Sequence, residues 1–293
     1  WNRNCFVRRC SRSRIRRIIL RYIMNKEKLI SVFNDTMDFV TGKFSGPTLR
    51  AEMSTQIISD PEDFRGEKYY DDPAIIKVSN RDTFTAAKEY TNITNNTNEG
   101  FVGVLNFASS TNPGGGVTKG STAQEECLCR CSNLYPVLHQ EKCIREYYNV
   151  NKKYMANLGS DAIIYSRNIY VFKDKNYNML PAKDRFYVDV ITCAAPNLRE
   201  NPRNRYNDGA SKEKITLTDE ELYNIHVKRA RNILNVAVKN EDDYLVLGAF
   251  GCGAFKNNPE IVAKAYKDVL QDYIYCFKVI DFAIIDGKYS NNY

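Results

Sequence analysis

Apolar and polar residues along this chain alternate between two rhythms, that of buried strands and that of amphipathic helices. Leu29, Val32, Phe33, Met37 and Val40 recur at three- and four-residue intervals before Gly42, which predicts a helix from about Met24 with one apolar face. Residues 43–73 carry mixed signals, read as short strands followed by polar turns at 59–63 and 71–73. Residues 74–78 form a strand-like apolar run, Asp82 is placed to cap a helix through about Tyr90, and the Asn/Thr-rich stretch 91–100 reads as a loop. A buried strand follows at 103–108. Beyond it the pattern predicts a helix to Leu134, a break at Pro136 and a second helix around 138–148. Strands are expected at 162–165, 169–172, 186–192, 244–247 and 277–285. Thr218 and Glu221 make a capping box for a helix whose apolar face includes Leu222, Ile225, Ile233, Leu234 and Ala237. A further helix is expected over 259–273. Strands alternating with helices argue an α/β fold with a mostly parallel sheet covered on both faces. One domain is the simplest reading, with 24–73 as its N-terminal elaboration.

Two strand-to-helix junctions are rich in glycine. The first strand runs into Asn112-Pro113-Gly114-Gly115-Gly116, and seven residues later come Gln124-Glu125-Glu126. Residues without a Cβ let a ligand approach the backbone N–H groups, and two carboxyls follow within reach. The second junction reads Gly248-Ala249-Phe250-Gly251-Cys252-Gly253-Ala254-Phe255; N–H groups and a helix dipole at such a turn favour a phosphate. Both loops leave the carboxyl ends of strands, so they can face one cleft. Taken singly, a glycine triplet is usually a flexible connection, and two Glu at a helix start are favoured by the dipole alone.

Charge and cysteine content narrow the partners. The formal charge is +7, yet residues 1–23 hold eight Arg and no acidic residue, and the remainder carries 34 basic against 35 acidic side chains. The body is therefore not expected to bind DNA, and the Arg-rich segment is read as not belonging to the native protein, whose natural start is expected at Met24, with a transit peptide or a binding arm as alternatives. No apolar run approaches the ~20 residues that span a membrane. Nine Cys without a secretory signal suggest free thiols and an intracellular, cytoplasmic setting, with the nucleus open to a eukaryotic chain. Cys127, Cys129 and Cys131 alternate too closely for zinc, with His139 and Cys143 nearby as the minor metal alternative. With His139 and His226 the only histidines, carboxylates are the better acid–base candidates; His226 is read as a core residue. No Gly-x-Gly-x-x-Gly opens a βαβ unit, so no cofactor is expected.

The combination Asn112-Pro113-Gly114-Gly115-Gly116, seven residues, Gln124-Glu125-Glu126 resembles the signature of microbial-type poly(ADP-ribose) glycohydrolases, a catalytic branch of the macrodomain fold. Residues 128–136, 188–197 and 247–259 resemble the same family. The resemblance implies a macrodomain-like three-layer α/β/α sandwich with a mixed, mostly parallel sheet and an N-terminal helical elaboration. It implies Glu126 as general acid, Glu125 on the ribose hydroxyls, and Asn112 orienting the distal ribose beside Gly114, Gly115 and Gly116. Gln124 belongs to the motif, Gly251, Cys252, Gly253 and Ala254 would cradle the diphosphate, and Phe255 would pack on a ribose. In that assignment the Glu125 charge disfavours ionisation of Glu126. The substrate would be poly(ADP-ribose) or ADP-ribosylated proteins, handled by a monomer without metal. A mono-ADP-ribosyl hydrolase and a non-catalytic ADP-ribose reader are the alternatives.

Overall fold

The sheet is set by which strands the helices can cover on both faces. A computed structural model describes residues 25–42, 44–97 and 100–285; the Arg-rich segment 1–23 and its expected status lie outside them. The strands are β1 (Gln56–Ile58), β2 (Ile75–Ser79), β3 (Val102–Ala108), β4 (Ile163–Val171), β5 (Phe186–Ala194), β6 (Tyr244–Leu247) and β7 (Val279–Ala283). They form one sheet in the order β1-β4-β5-β3-β6-β7-β2. Neighbours from β5 to β2 run parallel, whereas β4 is antiparallel to β5 and β1 to β4. The helices are α1 (25–41), α2 (Ser45–Ser54), α3 (Thr83–Thr97), α4 (Gln124–Cys131) and α5 (Leu134–Leu138), then α6 (Glu141–Cys143), α7 (Asn149–Tyr154), α8 (Asp219–Lys239) and α9 (Pro259–Leu270).

β3 shows why the layers number three. Val102 and Val104 pack into a core with Phe33 of α1, Ala51 of α2, Ala87 of α3 and Leu128 of α4. Leu105 points the other way, into a second core with Ile233 of α8 and Val269 of α9. A parallel strand buried on both faces reads as a continuous apolar run, as this one does. The α/β/α sandwich with a mixed, mostly parallel sheet is thus observed.

Four local expectations need correction. Residues 45–54 are helical rather than extended. Leu49 and Met53 face solvent, 57% and 88% exposed, while the small Thr48 and Ala51 face inward, so no apolar stripe advertises the helix. Helix α3 continues to Thr97 through the supposed loop, where the hydroxyls of Thr91, Thr94 and Thr97 bond back to the carbonyls of Lys88, Thr91 and Ile93. The two strands expected at 162–172 are one, β4, with a register shift between Ser166 and Ile169 and Asn168 at φ 57°. Pro136 breaks nothing: it lies in the first turn of α5, where a missing N–H costs no helical bond.

Candidate functional site

β3, β5 and β6 are adjacent and parallel, so the segments after Ala108, Ala194 and Leu247 emerge at one edge of the sheet. Helix α4 begins beneath the first of them. Its N-cap Ala123 has no side-chain acceptor, and the first turn is held by Gln124 instead. Gln124 accepts from Phe107 N at 2.9 Å and donates to Leu105 O at 2.7 Å and Thr83 Oγ1 at 3.1 Å. That amide aligns α4 with β3 and brings the next two side chains under the glycine loop.

Glu125 and Glu126 are only 3% and 6% exposed. Ser109 N donates to Glu125 Oε2 and Gly116 N to Glu126 Oε1, both at 2.8 Å. Glu125 Oε1 and Glu126 Oε2 have no partner among the described residues, a costly state that a bound hydroxyl relieves. Burial, and next the Glu126 charge, push the Glu125 carboxyl well above the usual range, against the pull of the Ser109 N–H, the Asn106 amide and the Gly114 N–H. Asn106 itself is fully buried within β3 and donates to Thr192 Oγ1 at 3.2 Å.

The three glycines serve different neighbours. Gly115, at φ +58°, lies where a Cβ would stand 2.5 Å from Glu126 Oε1 and 3.0 Å from Glu125 Oε2. Gly114 instead abuts the Tyr135 ring and Cys129, and Gly116 abuts Tyr206 and Ser121. Asn112 is half-buried and donates to Asp208 Oδ1 at 2.8 Å. Gly115, Gly116, Gln124, Glu125 and Glu126 line the cleft, and Asn112 and Gly114 do not.

On the far wall, Gly251, Gly253, Ala254 and Phe255 line the same cleft, whose volume is about 1110 Å³. Gly251 takes φ +77°, and a Cβ there would lie 2.5 Å from Ala195 Cβ and 2.8 Å from Asn257 Nδ2. Gly253 has nothing within 4 Å of its Cβ position. The Cys252 thiol turns back toward Phe250 O at 3.6 Å, away from the cleft, and burial raises it to about 12.

Several site residues lie where the sequence carried no signal. Arg199 sets its guanidinium 5.4 Å from the Phe255 ring centroid and donates to Ala254 O. Burial lowers its pKa while the Glu126 charge opposes that, so a cation spans the two loops. Tyr206 joins the lining beside Gly116. Asn207 Oδ1 accepts from Ser109 Oγ at 3.4 Å and Thr111 Oγ1 at 3.2 Å. These residues sit in a polar loop without periodicity. Asn106, a polar residue inside an apolar strand, was the one legible clue. His226 is a buried core residue, as expected, and also supports the site: its Nε2 lies 2.8 Å from Asn257 Oδ1, and Asn257 Nδ2 donates to Pro196 O and Gly251 O.

The cysteines do not converge. Cys127 Sγ lies 3.4 Å from Tyr177 OH, Cys129 packs on Gly114, and Cys131 Sγ faces Asp174 O at 3.3 Å. Among the described residues no three His, Cys, Asp or Glu side chains form a metal-binding group, and the seven described cysteines are free thiols. No described helix is long and apolar enough to cross a membrane.

Residues 40–174 match the family model of the microbial-type PARG (poly(ADP-ribose) glycohydrolase) catalytic domain. No curated protein matches the chain. Among solved structures, poly(ADP-ribose) glycohydrolase from Thermomonospora curvata is 26% identical, with a TM-score of 0.75 over 91% of this chain and 97% of that one. The same enzyme bound to the inhibitor ADP-HPD is 27% identical, with a TM-score of 0.72 over 91% and 96%. The Deinococcus radiodurans enzyme in complex with ADP-ribose is 30% identical, with a TM-score of 0.69 over 84% of this chain and 92% of that one. With a paired-carboxylate cleft on this sheet and likeness over nearly the full length of such structures, the chain belongs to the microbial-type poly(ADP-ribose) glycohydrolase family.

Proposed function

We propose that this poly(ADP-ribose) glycohydrolase protonates the leaving ribose oxygen from Glu126 Oε2. The observation that carries the assignment is the anchored pair: each carboxyl is held through one oxygen by a loop N–H, at Ser109 and Gly116, leaving one oxygen for substrate. Cleaving the ribose–ribose bond passes through an oxocarbenium-like state. As the bond from the anomeric carbon to the leaving oxygen breaks, the proton goes to that oxygen. Water then adds hydroxyl to the anomeric carbon and its other proton returns to the Glu126 carboxylate, giving ADP-ribose and a polymer one unit shorter. Glu125, its carboxyl pKa raised by burial and by the Glu126 charge, binds the ribose hydroxyls through Oε1. Gly251, Gly253 and Ala254 receive the diphosphate beside Arg199, whose fixed charge offsets that of the phosphates, and Phe255 packs on the ribose. Asn112 acts through Asp208, by ordering the wall of the distal-ribose site. Free thiols support an intracellular enzyme acting on poly(ADP-ribose) carried by proteins.

Glu126→Gln tests the assignment. General acid catalysis contributes ~10²–10⁴-fold, so turnover of poly(ADP-ribose) should fall at least about 10²-fold while ADP-ribose affinity by calorimetry stays nearly intact. Rapid polymer cleavage by this variant would remove Glu126 from the role of acid.

A further inference from the structure

A second cavity opens beside the catalytic one, of about 260 Å³, lined by Asn25, Lys26, Leu29, Ser121, Thr122 and Tyr206. Ser121, Thr122 and Tyr206 line the main cleft as well, so the two spaces share a wall. That wall touches the catalytic group through one residue. Gly116 donates its N–H to Glu126, and its Cβ position is 3.0 Å from both Tyr206 Cβ and Ser121 Cβ. The start of α1 is held against this wall: Gly120, at φ +73°, packs on the Lys26 backbone, and Arg130 reaches from α4 to Leu29 O and Ser121 O.

The chemistry of the lining is specific. Lys26 Nζ sits 3.9 Å from the Tyr206 ring centroid, and the Arg205 guanidinium lies 4.7 Å from the same ring. Lys119 stands on the adjoining turn, paired with Asp208 at 2.8 Å. Amide, hydroxyl and aromatic groups in the pocket, with cations at the Tyr206 wall, suit a nucleoside bearing phosphate. The volume is just under the roughly 300 Å³ at which ligand pockets begin, which fits part of a ligand and not a whole dinucleotide.

We propose that this cavity is the subsite for the leaving ADP-ribosyl unit, its nucleoside entering between α1 and Thr122 and its phosphates meeting Lys26 and Arg205. The proposal rests on the glycohydrolase reading above. In that reading the departing oxygen belongs to the ribose of the preceding unit and receives its proton at Glu126. The bound unit occupies the side of Glu126 that leads to the diphosphate loop, with Phe255 and Arg199. The preceding unit must therefore leave on the other side, past Gly116, where Tyr206 and this cavity stand. Its binding adds affinity for the polymer that a substrate with one ADP-ribosyl group cannot use.

The test compares poly(ADP-ribose) with an ADP-ribose carrying 4-nitrophenol at the distal anomeric carbon, which has no preceding unit. Asn25→Trp fills the cavity from an exposed helix position, and Lys26→Glu reverses its charge. Each should raise KM for the polymer about tenfold with kcat little changed, the mark of lost uniform binding. kcat/KM for the nitrophenyl substrate and the Kd of ADP-ribose should stay within about twofold of the parent protein. Melting curves identify a variant that fails to fold, and the other then decides. An unchanged polymer KM in a folded variant, or equal losses on both substrates, overturns the subsite. A parent protein that releases no ADP-ribose from polymer strikes the glycohydrolase reading itself, and this subsite with it.

Discussion

A methyl group at position 115 would test how closely the backbone must approach the acids. Gly115 combines φ +58° with a Cβ position 2.5 Å from Glu126 Oε1. Alanine would meet two separate costs: about 1–2 kcal/mol for the left-handed backbone and a collision with the carboxyl. The flexible carboxyl can yield, so the protein should still fold, but the Gly116 N–H bond to Oε1 would be lost. Gly115→Ala is therefore expected to reduce kcat about 10²-fold, close to removing the acid, with a Tm only a few degrees lower by calorimetry. Near-parental kcat would mean that the carboxyl position is not critical. At this scale the sequence was informative about residue types and less so about duties. The adjacency of Glu125 and Glu126 was legible because it is local. Which glycine meets the carboxyls was not, because that depends on where α4 lies under the loop.

The elements packed behind the second loop explain its shape. Helix α8 presents His226 and Arg229 three residues apart, hence on one face. His226 holds Asn257, which bridges Pro196 O and Gly251 O, while Arg229 donates to Ala194 O at 2.8 Å and Gly159 O at 2.8 Å. One helix thus fixes the ends of β5 and β6 together. The two loop glycines should separate accordingly. Gly251 is packed against Ala195 and Asn257, whereas Gly253 opens onto the cleft with nothing nearby. Gly253→Val should weaken ADP-ribose binding at least about tenfold by blocking diphosphate approach, with Tm nearly unchanged; Gly251→Val should lower Tm as well. Unaltered affinity in the Gly253 variant would place the diphosphate elsewhere. The loop itself could be read from the sequence as a turn between strand and helix. Its support could not, since residues 226, 229 and 257 meet only through the packing of α8 on the sheet.

For the whole molecule, His226 links this support to pH. Burial lowers its pKa from an ordinary 6.5 to about 4, only partly opposed by the Asn257 bond. The folded state thus favours the neutral ring, and below pH 6.5 the unfolded chain binds the proton first. The stability this gives is present above pH 6.5 and is lost as pH falls toward 4. At 1.36 kcal/mol per pH unit the loss is on the order of 3 kcal/mol. His226→Gln can keep a bond to Asn257 and cannot titrate. Denaturant unfolding should therefore show a smaller drop between pH 6.5 and 4 for the variant than for the parent. Equal drops would show that other groups dominate the acid response.

Sequence alone determined what neighbouring residues decide. The apolar runs of β3, β5 and β6, the capping box at Thr218 and the turns at 112–116 and 248–253 follow from local sterics, propensity and burial, and all are present. Where side-chain chemistry replaced apolar rhythm, the local reading failed, as with the inward-facing small residues of α2 and the threonine back-bonds of α3. The cleft as a whole was decided by tertiary structure. Arg199, Tyr206 and Asn207 come from a loop that has no period of its own, and they reach the glycine turns because parallel strands bring three carboxyl ends to one edge. The raised pKa of Glu125 was decided there too, because desolvation depends on what covers a side chain and not on which residue precedes it.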